Sequence, residues 1–189
     1  MQIYSPELMG KRLQLLKEVL PSVSRLVILR PSPLPEGLVN TYLQMTDETA
    51  SKLGMRTHYV VFERPGTLKD LFSAMIRERD DALLVWSHPF TRAHGHEILD
   101  LATKHRLPVI GELREWAENG SLLAYGPRMD EVLRQAVTYI DRVLRGAKPG
   151  DLPIGQPTTF ELVINLKTAK TLGLTISHSV LLRADQVIE

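Results

Sequence analysis

The chain has 189 residues, 43% hydrophobic and 24% charged, with 23 Lys and Arg against 22 Asp and Glu for a net charge of +1. That balance leaves no basic footprint for nucleic acid or an anionic membrane, so no nucleic-acid partner is expected. The absence of cysteine excludes disulfides, thiol catalysis and Cys-based zinc sites, and no apolar run approaches the ~20 residues that cross a bilayer.

Met1-Gln2-Ile3-Tyr4-Ser5-Pro6 does not read as a leader, because it enters a helix almost at once. Ser5 and Pro6 are predicted as N-cap and first helical residue, followed by Met9, Leu13, Leu16 and Leu20 at helical spacing. Leu26-Val27-Ile28-Leu29 is a buried strand that ends in the stiff loop Arg30-Pro31-Ser32-Pro33. A helix over about 36–53 turns Leu38, Tyr42, Met45 and Thr49 inward and closes at Gly54. Residues 57–62 form a strand nearer the sheet edge. Thr67 and Asp70 suggest a capping box that opens a helix burying Leu68, Leu71, Phe72, Met75 and Ile76.

Residues 82–86, Ala-Leu-Leu-Val-Trp, are an unbroken apolar run behind the polar turn Asp80-Asp81. Such a run, without alternation, fits a strand buried on both faces of a parallel sheet. Pro89 stops it, leaving Ser87, His88 and Phe90 at its carboxyl end, where open α/β sheets bind ligands. A helix over 91–105, a strand at 107–110, a short helix at 114–118 and a strand at 122–125 follow. The longest helix, 129–145, is predicted to turn Val132, Leu133, Ala136, Val137, Ile140, Val143 and Leu144 inward. After a proline- and glycine-rich stretch at 147–159 come a strand from 160, a helix capped by Asn165 and ending at Gly173, and a short helix near 179–187. Strand–helix alternation at this spacing predicts an α/β fold with a doubly wound parallel sheet and right-handed crossovers.

Four strings carry a family resemblance: Pro6-Glu7-Leu8-Met9-Gly10-Lys11-Arg12-Leu13, the segment from Leu107-Pro108 to Arg114-Glu115, Tyr125-Gly126-Pro127, and Phe160-Glu161-Leu162-Val163-Ile164-Asn165-Leu166-Lys167-Thr168-Ala169-Lys170. With Leu181-Leu182-Arg183-Ala184-Asp185, they resemble ABC transporter substrate-binding proteins of the group related to tryptophan- and tyrosine-binding proteins. The similarity covers nearly the whole chain. It implies a periplasmic-binding-protein type I-like lobe, a small-molecule ligand, ABC permease subunits as partners and a periplasmic location. It also implies that a signal sequence and a first lobe precede the segment where this chain starts. Residues 5–120 would then be one lobe and 121–189 the C-terminal elements that return to a partial second lobe. A helix at 129–145 with part of its cover missing is expected to make the chain dimerise, exchange elements or aggregate. Hinge closure would turn on crossings near residues 4, 120–126 and 155–160.

The resemblance weakens at the strand ends that would face ligand. Arg30-Pro31-Ser32 stands where the family commonly carries Trp-Asn-Pro, and Ser87-His88-Pro89 where it often carries Pro-Asp-Pro. Gly111-Glu112-Leu113 replaces Tyr-Gly-Phe. The candidate ligand-binding residues are therefore Arg30, Ser32, Ser87, His88, Phe90, Glu112, Arg114 and Tyr125. Arg114 either grips a ligand carboxylate bidentately or forms a surface ion pair worth at most ~1 kcal/mol. Tyr125 either stacks on a ligand or packs at an interlobe hinge beside the cleft, the hinge being preferred. Trp86 reads as core. His88, His94 and His96 invite a metal reading, but helical residues two apart point about 200° from each other, so solvated histidines are preferred and no metal or other cofactor is expected. Two other classes stay open: a hydrolase-like or metal-dependent enzyme using those histidines, and a cytosolic ligand-sensing or interaction domain.

Overall fold

A computed structural model describes residues 7–189, apart from the side chains of Glu7 and Leu38. The expected roles of Ser5 and Pro6, the crossing near residue 4 and the inward side chain of Leu38 lie outside the described residues. The first half of the chain runs α1 (Glu7–Val19), β1 (Arg25–Pro31), α2 (Glu36–Lys52), β2 (Arg56–Phe62), α3 (Leu68–Arg77), β3 (Ala82–Val85), α4 (Pro89–Ala93) and α5 (Gly95–Lys104). The second runs β4 (Val109–Gly111), α6 (Arg114–Glu118), β5 (Leu123–Pro127), α7 (Met129–Leu144), β6 (Phe160–Asn165), α8 (Leu166–Leu172), α9 (His178–Leu181) and β7 (Gln186–Ile188).

The seven strands form one sheet in the order β2-β1-β3-β4-β5-β6-β7. Neighbours are parallel except β5 and β6, which are antiparallel. Period-two geometry sends alternate side chains to opposite faces, and helices cover both. Leu26, Ile28, Leu84 and Trp86 join α1 residues such as Leu13 and Leu16 on one side. Val27, Leu29, Leu83 and Val85 join Phe72 and Met75 of α3 and Ile98 of α5 on the other. This is why β1 and β3 read as unbroken apolar runs: neither face meets water. Every residue of β3 is buried, and β2 lies at the sheet edge, both as predicted.

Several local expectations change. Pro89 does more than stop a strand: with His88 as N-cap it begins α4, because proline's fixed φ suits the first helical position. The helix expected over 91–105 is two helices meeting at His94. Thr67 does not cap α3 with its side chain; its hydroxyl donates to the Arg64 carbonyl instead, at 2.9 Å. The C-terminal helix stops at Leu181, and Gln186–Ile188 pairs with β6 as an edge strand. The Asp185 carboxylate fixes that register by accepting from the Leu162 N–H at 2.8 Å. Asn165 caps α8 as expected, accepting from Thr168 N at 3.0 Å.

The sheet is mixed rather than wholly parallel for a topological reason. β5 ends at the carboxyl edge, the chain makes an excursion through α7, and it returns to the same edge, where Arg128 N donates to Thr159 O at 3.1 Å. A strand that re-enters from the edge its neighbour left must run antiparallel. The sheet is also continuous across residue 120, since β5 pairs with both β4 and β6. Of the α7 residues expected inward, only Val132 is buried. Leu133, Val137, Ile140 and Leu144 are 62%, 64%, 58% and 81% exposed and share one face.

The amino edge is tied by Asp80 and Asp81, which form a clamp where a simple polar turn was expected. Asp81 Oδ2 accepts from Ser24 N, Ser24 Oγ and Arg25 N at 2.8–2.9 Å, and Asp80 meets His58 Nδ1 at 2.9 Å. Burial opposes ionisation of Asp81, but the Ser24 and Arg25 donors outweigh it and hold the carboxyl below its ordinary value. A depressed folded pKa gives stability that is present above the unfolded value of about 3.9 and lost as pH falls through the folded one. The gap in Tm between the wild type and Asp81→Asn should therefore narrow on acidification from neutrality to about pH 3. A constant gap in thermal melts would show that the clamp does not depend on charge.

Candidate functional site

The carboxyl ends of β1, β3, β4 and β5 lie along one edge, and the start of β6 joins them. At the centre of this edge is a buried polar network. Arg12, carried by α1, is 3% exposed; its Nε donates to Tyr125 O at 2.8 Å and its Nη1 to Glu112 Oε1 at 3.0 Å. Glu112 Oε2 accepts from Ser87 N at 3.0 Å, and Ser87 Oγ accepts from Trp116 Nε1 at 3.0 Å. Burial pushes the Glu112 carboxyl above its ordinary value, while the Arg12 charge and the Ser87 N–H work against that rise. Burial likewise raises the Tyr125 phenol, against the pull of Arg12.

Two glycines let the backbones approach. A Cβ on Gly126 would fall 1.7 Å from Glu112 O, and one on Gly111 would fall 2.1 Å from Trp116 Cβ. Small residues here are what allow β4, β5 and α6 to converge beneath the network.

Above the network is a cavity of about 250 Å³ with Arg12, Tyr42, Ser87, His88, Glu112, Leu113, Pro127 and Met129 in its lining. Tyr42 stacks on the buried Trp86, ring centroids 4.3 Å apart, and so backs the cavity wall with a second ring. A wider trough of about 540 Å³ continues towards β6 past Arg114, Arg128 and Glu161, sharing Arg92, Leu113 and Met129 with the cavity.

The structure gathers the predicted residues unevenly. Ser87, His88 and Glu112 line the cavity, and Arg114 lines the trough. Arg114 is engaged within the protein: its guanidinium pairs with Glu161 and donates to Gln186 Oε1 at 2.7 Å, and the Glu161 bond is the leading cause of its raised pKa. Here the partner is a protein carboxylate, whose single Oε2 accepts from both Nε and Nη2. Phe90 packs away from the cavity, its ring 4.6 Å from Phe62 and 4.8 Å from His94. Tyr125 supplies its carbonyl to Arg12, and its half-buried ring sits 6.3 Å from Phe160. Arg30 lies at the end of β1 with a buried Nε that has no hydrogen-bond partner among the described residues, and Ser32 follows β1 before a cis peptide to Pro33. Neither lines the cavity.

The three histidines are dispersed. His88 caps α4, His94 stands edge-on to Phe62 at 5.2 Å, and His96 borders a separate depression on α5. Among the described residues no group of three or more His, Asp or Glu is placed to hold a metal.

Sequence reasoning missed Arg12 and Tyr42. Arg12 had a visible signal: it sits at helical spacing from Leu8, Met9, Leu15 and Leu16, so a charge interrupts the inward stripe of α1. Tyr42 reads from the sequence as a packing residue, and it is buried as well.

A mostly parallel seven-stranded sheet between two helical layers, with a ligand-sized cavity at its carboxyl edge, defines a periplasmic-binding-protein-like α/β architecture. Residues 4–188 match the family of ABC transporter substrate binding proteins, and the chain belongs to that family. It is similar to a conserved domain protein from Vibrio cholerae O1 biovar El Tor (22% identity, TM-score 0.86, 95% of this chain and 60% of that one). It is equally similar to an ABC domain from Streptococcus pneumoniae solved in complex with L-Trp (24% identity, TM-score 0.86, 95% and 60%). A third similar structure is the ligand-free, open form of CD0873, a substrate-binding protein with adhesive properties from Clostridium difficile (19% identity, TM-score 0.68, 94% and 59%). At these identities the structures speak to fold alone, and the chain spans about 60% of their length. No curated protein matches the sequence. No helix among the described residues is long and apolar enough to cross a membrane.

Proposed function

We propose that this chain provides a ligand-holding lobe of a substrate-binding protein, taking a small solute, such as an amino acid or another carboxylate, for import by an ABC permease on the outer side of the cytoplasmic membrane. The observation that carries this reading is the cavity at the carboxyl edge in a chain of this family. It rests on a floor made rigid by Arg12, Glu112 and the Tyr42–Trp86 stack. A lobe that closes on a ligand needs such a floor, since a yielding wall would lose ordering entropy on each capture. The excursion 128–159 is the segment proposed to reach the opposing half of the cleft. Its two ends meet at the carboxyl edge and its apolar face stands uncovered. No catalytic role is assigned to the site.

The test is thermal stabilisation by a panel of the common amino acids, with L-Trp included, and of small monocarboxylates. A ligand that binds only the folded form stabilises it by about 2.7 kcal/mol at a hundred times its Kd. A saturable rise in Tm with at least one member is expected. Identical melting across the whole panel would refute the reading.

A further inference from the structure

The cavity has a polarity that one side chain sets. His88 is the N-cap of α4, and its Nδ1 accepts from Phe90 N at 3.1 Å. The same turn is closed from the other side: His88 N donates to Thr91 Oγ1 at 3.0 Å, and the Thr91 hydroxyl donates to Trp86 O at 2.7 Å. Thr91 is fully buried, so this turn is held in place. A backbone N–H can only donate, hence Nδ1 presents its lone pair and the ring proton of the neutral imidazole is on Nε2. Nε2 has no hydrogen-bond partner among the described residues.

The charged groups of the cavity are paired within the protein. Each oxygen of Glu112 already accepts one hydrogen bond, from Arg12 and from Ser87 N respectively. Arg12 is paired with Glu112 and Arg92 with Glu115, while Tyr42, Leu113, Pro127 and Met129 supply apolar wall.

We propose that His88, locked as an Nε2–H donor by the start of α4, determines specificity by selecting ligands that present a hydrogen-bond acceptor, above all a carboxylate, on a small apolar body. The inference rests on the ligand-binding reading above and adds a chemical class to it. A cationic amine placed against His88 would meet a donor, where a carboxylate would accept from it.

Three probes with one ring and different heads test it: phenylacetate, phenylacetamide and 2-phenylethylamine, titrated into the full chain and followed by NMR. Long-range ¹H–¹⁵N spectra should show His88 as the Nε2–H tautomer before any ligand is added. Phenylacetate should bind about tenfold or more tighter than the amine, in keeping with a charge-assisted hydrogen bond, and should shift the His88 Nε2 resonance. His88→Asp retains an acceptor for Phe90 N, since Asp is a good N-cap, but replaces the donor with an anion; the acid preference should be lost or reversed. An Nδ1–H tautomer in the wild type would overturn the inference, and this result is available even where the variant does not fold. Equal binding of acid and amine, or an unchanged preference in His88→Asp, would overturn it while leaving the ligand-binding reading intact. Failure of these probes and of the amino-acid panel alike would overturn both.

Discussion

Glu112→Leu should lower stability by about 3–5 kcal/mol, the range expected when one partner of a buried ion pair is removed and the other is left uncompensated. The stranded group is the Arg12 guanidinium, 3% exposed, whose Nη1 has Glu112 as its carboxylate partner at 3.0 Å. For a domain of this size each kcal/mol moves Tm by about 2–4 °C, so the loss should be plain in a simple melt. The Arg12→Met, Glu112→Leu double variant should recover much of it, because paired removal abolishes both desolvation penalties. The cycle thus separates the cost of an orphaned charge from the net worth of the pair. A single variant that loses less than about 1 kcal/mol would mean that water reaches Arg12 and that the floor is softer than its burial implies.

Gly126→Ala should be damaging out of proportion to one methyl group. Its Cβ would fall 1.7 Å from a backbone oxygen, that of Glu112, and a backbone atom cannot swing aside as a long side chain can. Relief requires the carboxyl ends of β4 and β5 to part, which also pulls Tyr125 O from Arg12 Nε. Overpacking commonly costs about 1–3 kcal/mol, and this case belongs at or above the top of that range. Gly10→Ala is the matched control: on α1 a Cβ there would meet nothing nearer than Thr49 at 3.8 Å, and Ala gains up to about 1 kcal/mol in a helix interior. Urea midpoints should therefore move in opposite directions. Equal, small effects would show that the strands are not locked together at this edge.

The sheet could be read from sequence because its strands are buried on both faces. Ala82 to Trp86 has no polar interruption, and burial on a parallel sheet is the simplest cause of such a run. Caps with a local chemistry, such as Asn165, were legible for the same reason: donor and acceptor lie three residues apart. What escaped notice depends on partners far away in the chain. Arg12 and Glu112 are 100 residues apart, and no periodicity joins them. Whether β6 runs parallel or antiparallel depends on where the chain re-enters the sheet, which the composition of 147–159 does not encode. Gln186-Val187-Ile188 became a strand because β6 offered an open edge, a tertiary override of a weak local preference. Arg114 and Phe90 show the converse limit: their positions at strand ends were foreseen, while their partners, Glu161 and Phe62, were not.

The hydrogen bond from Arg128 N to Thr159 O brings the two feet of the α7 excursion together on adjacent strands. An insertion whose ends nearly touch imposes no span on its host, so its length and content can drift without shifting the β5–β6 register by a residue. The sheet is thereby modular at this point. Selection can remodel whatever the excursion meets while the polar floor beneath the cavity keeps its geometry, and recognition and scaffold can change at different rates within one continuous chain.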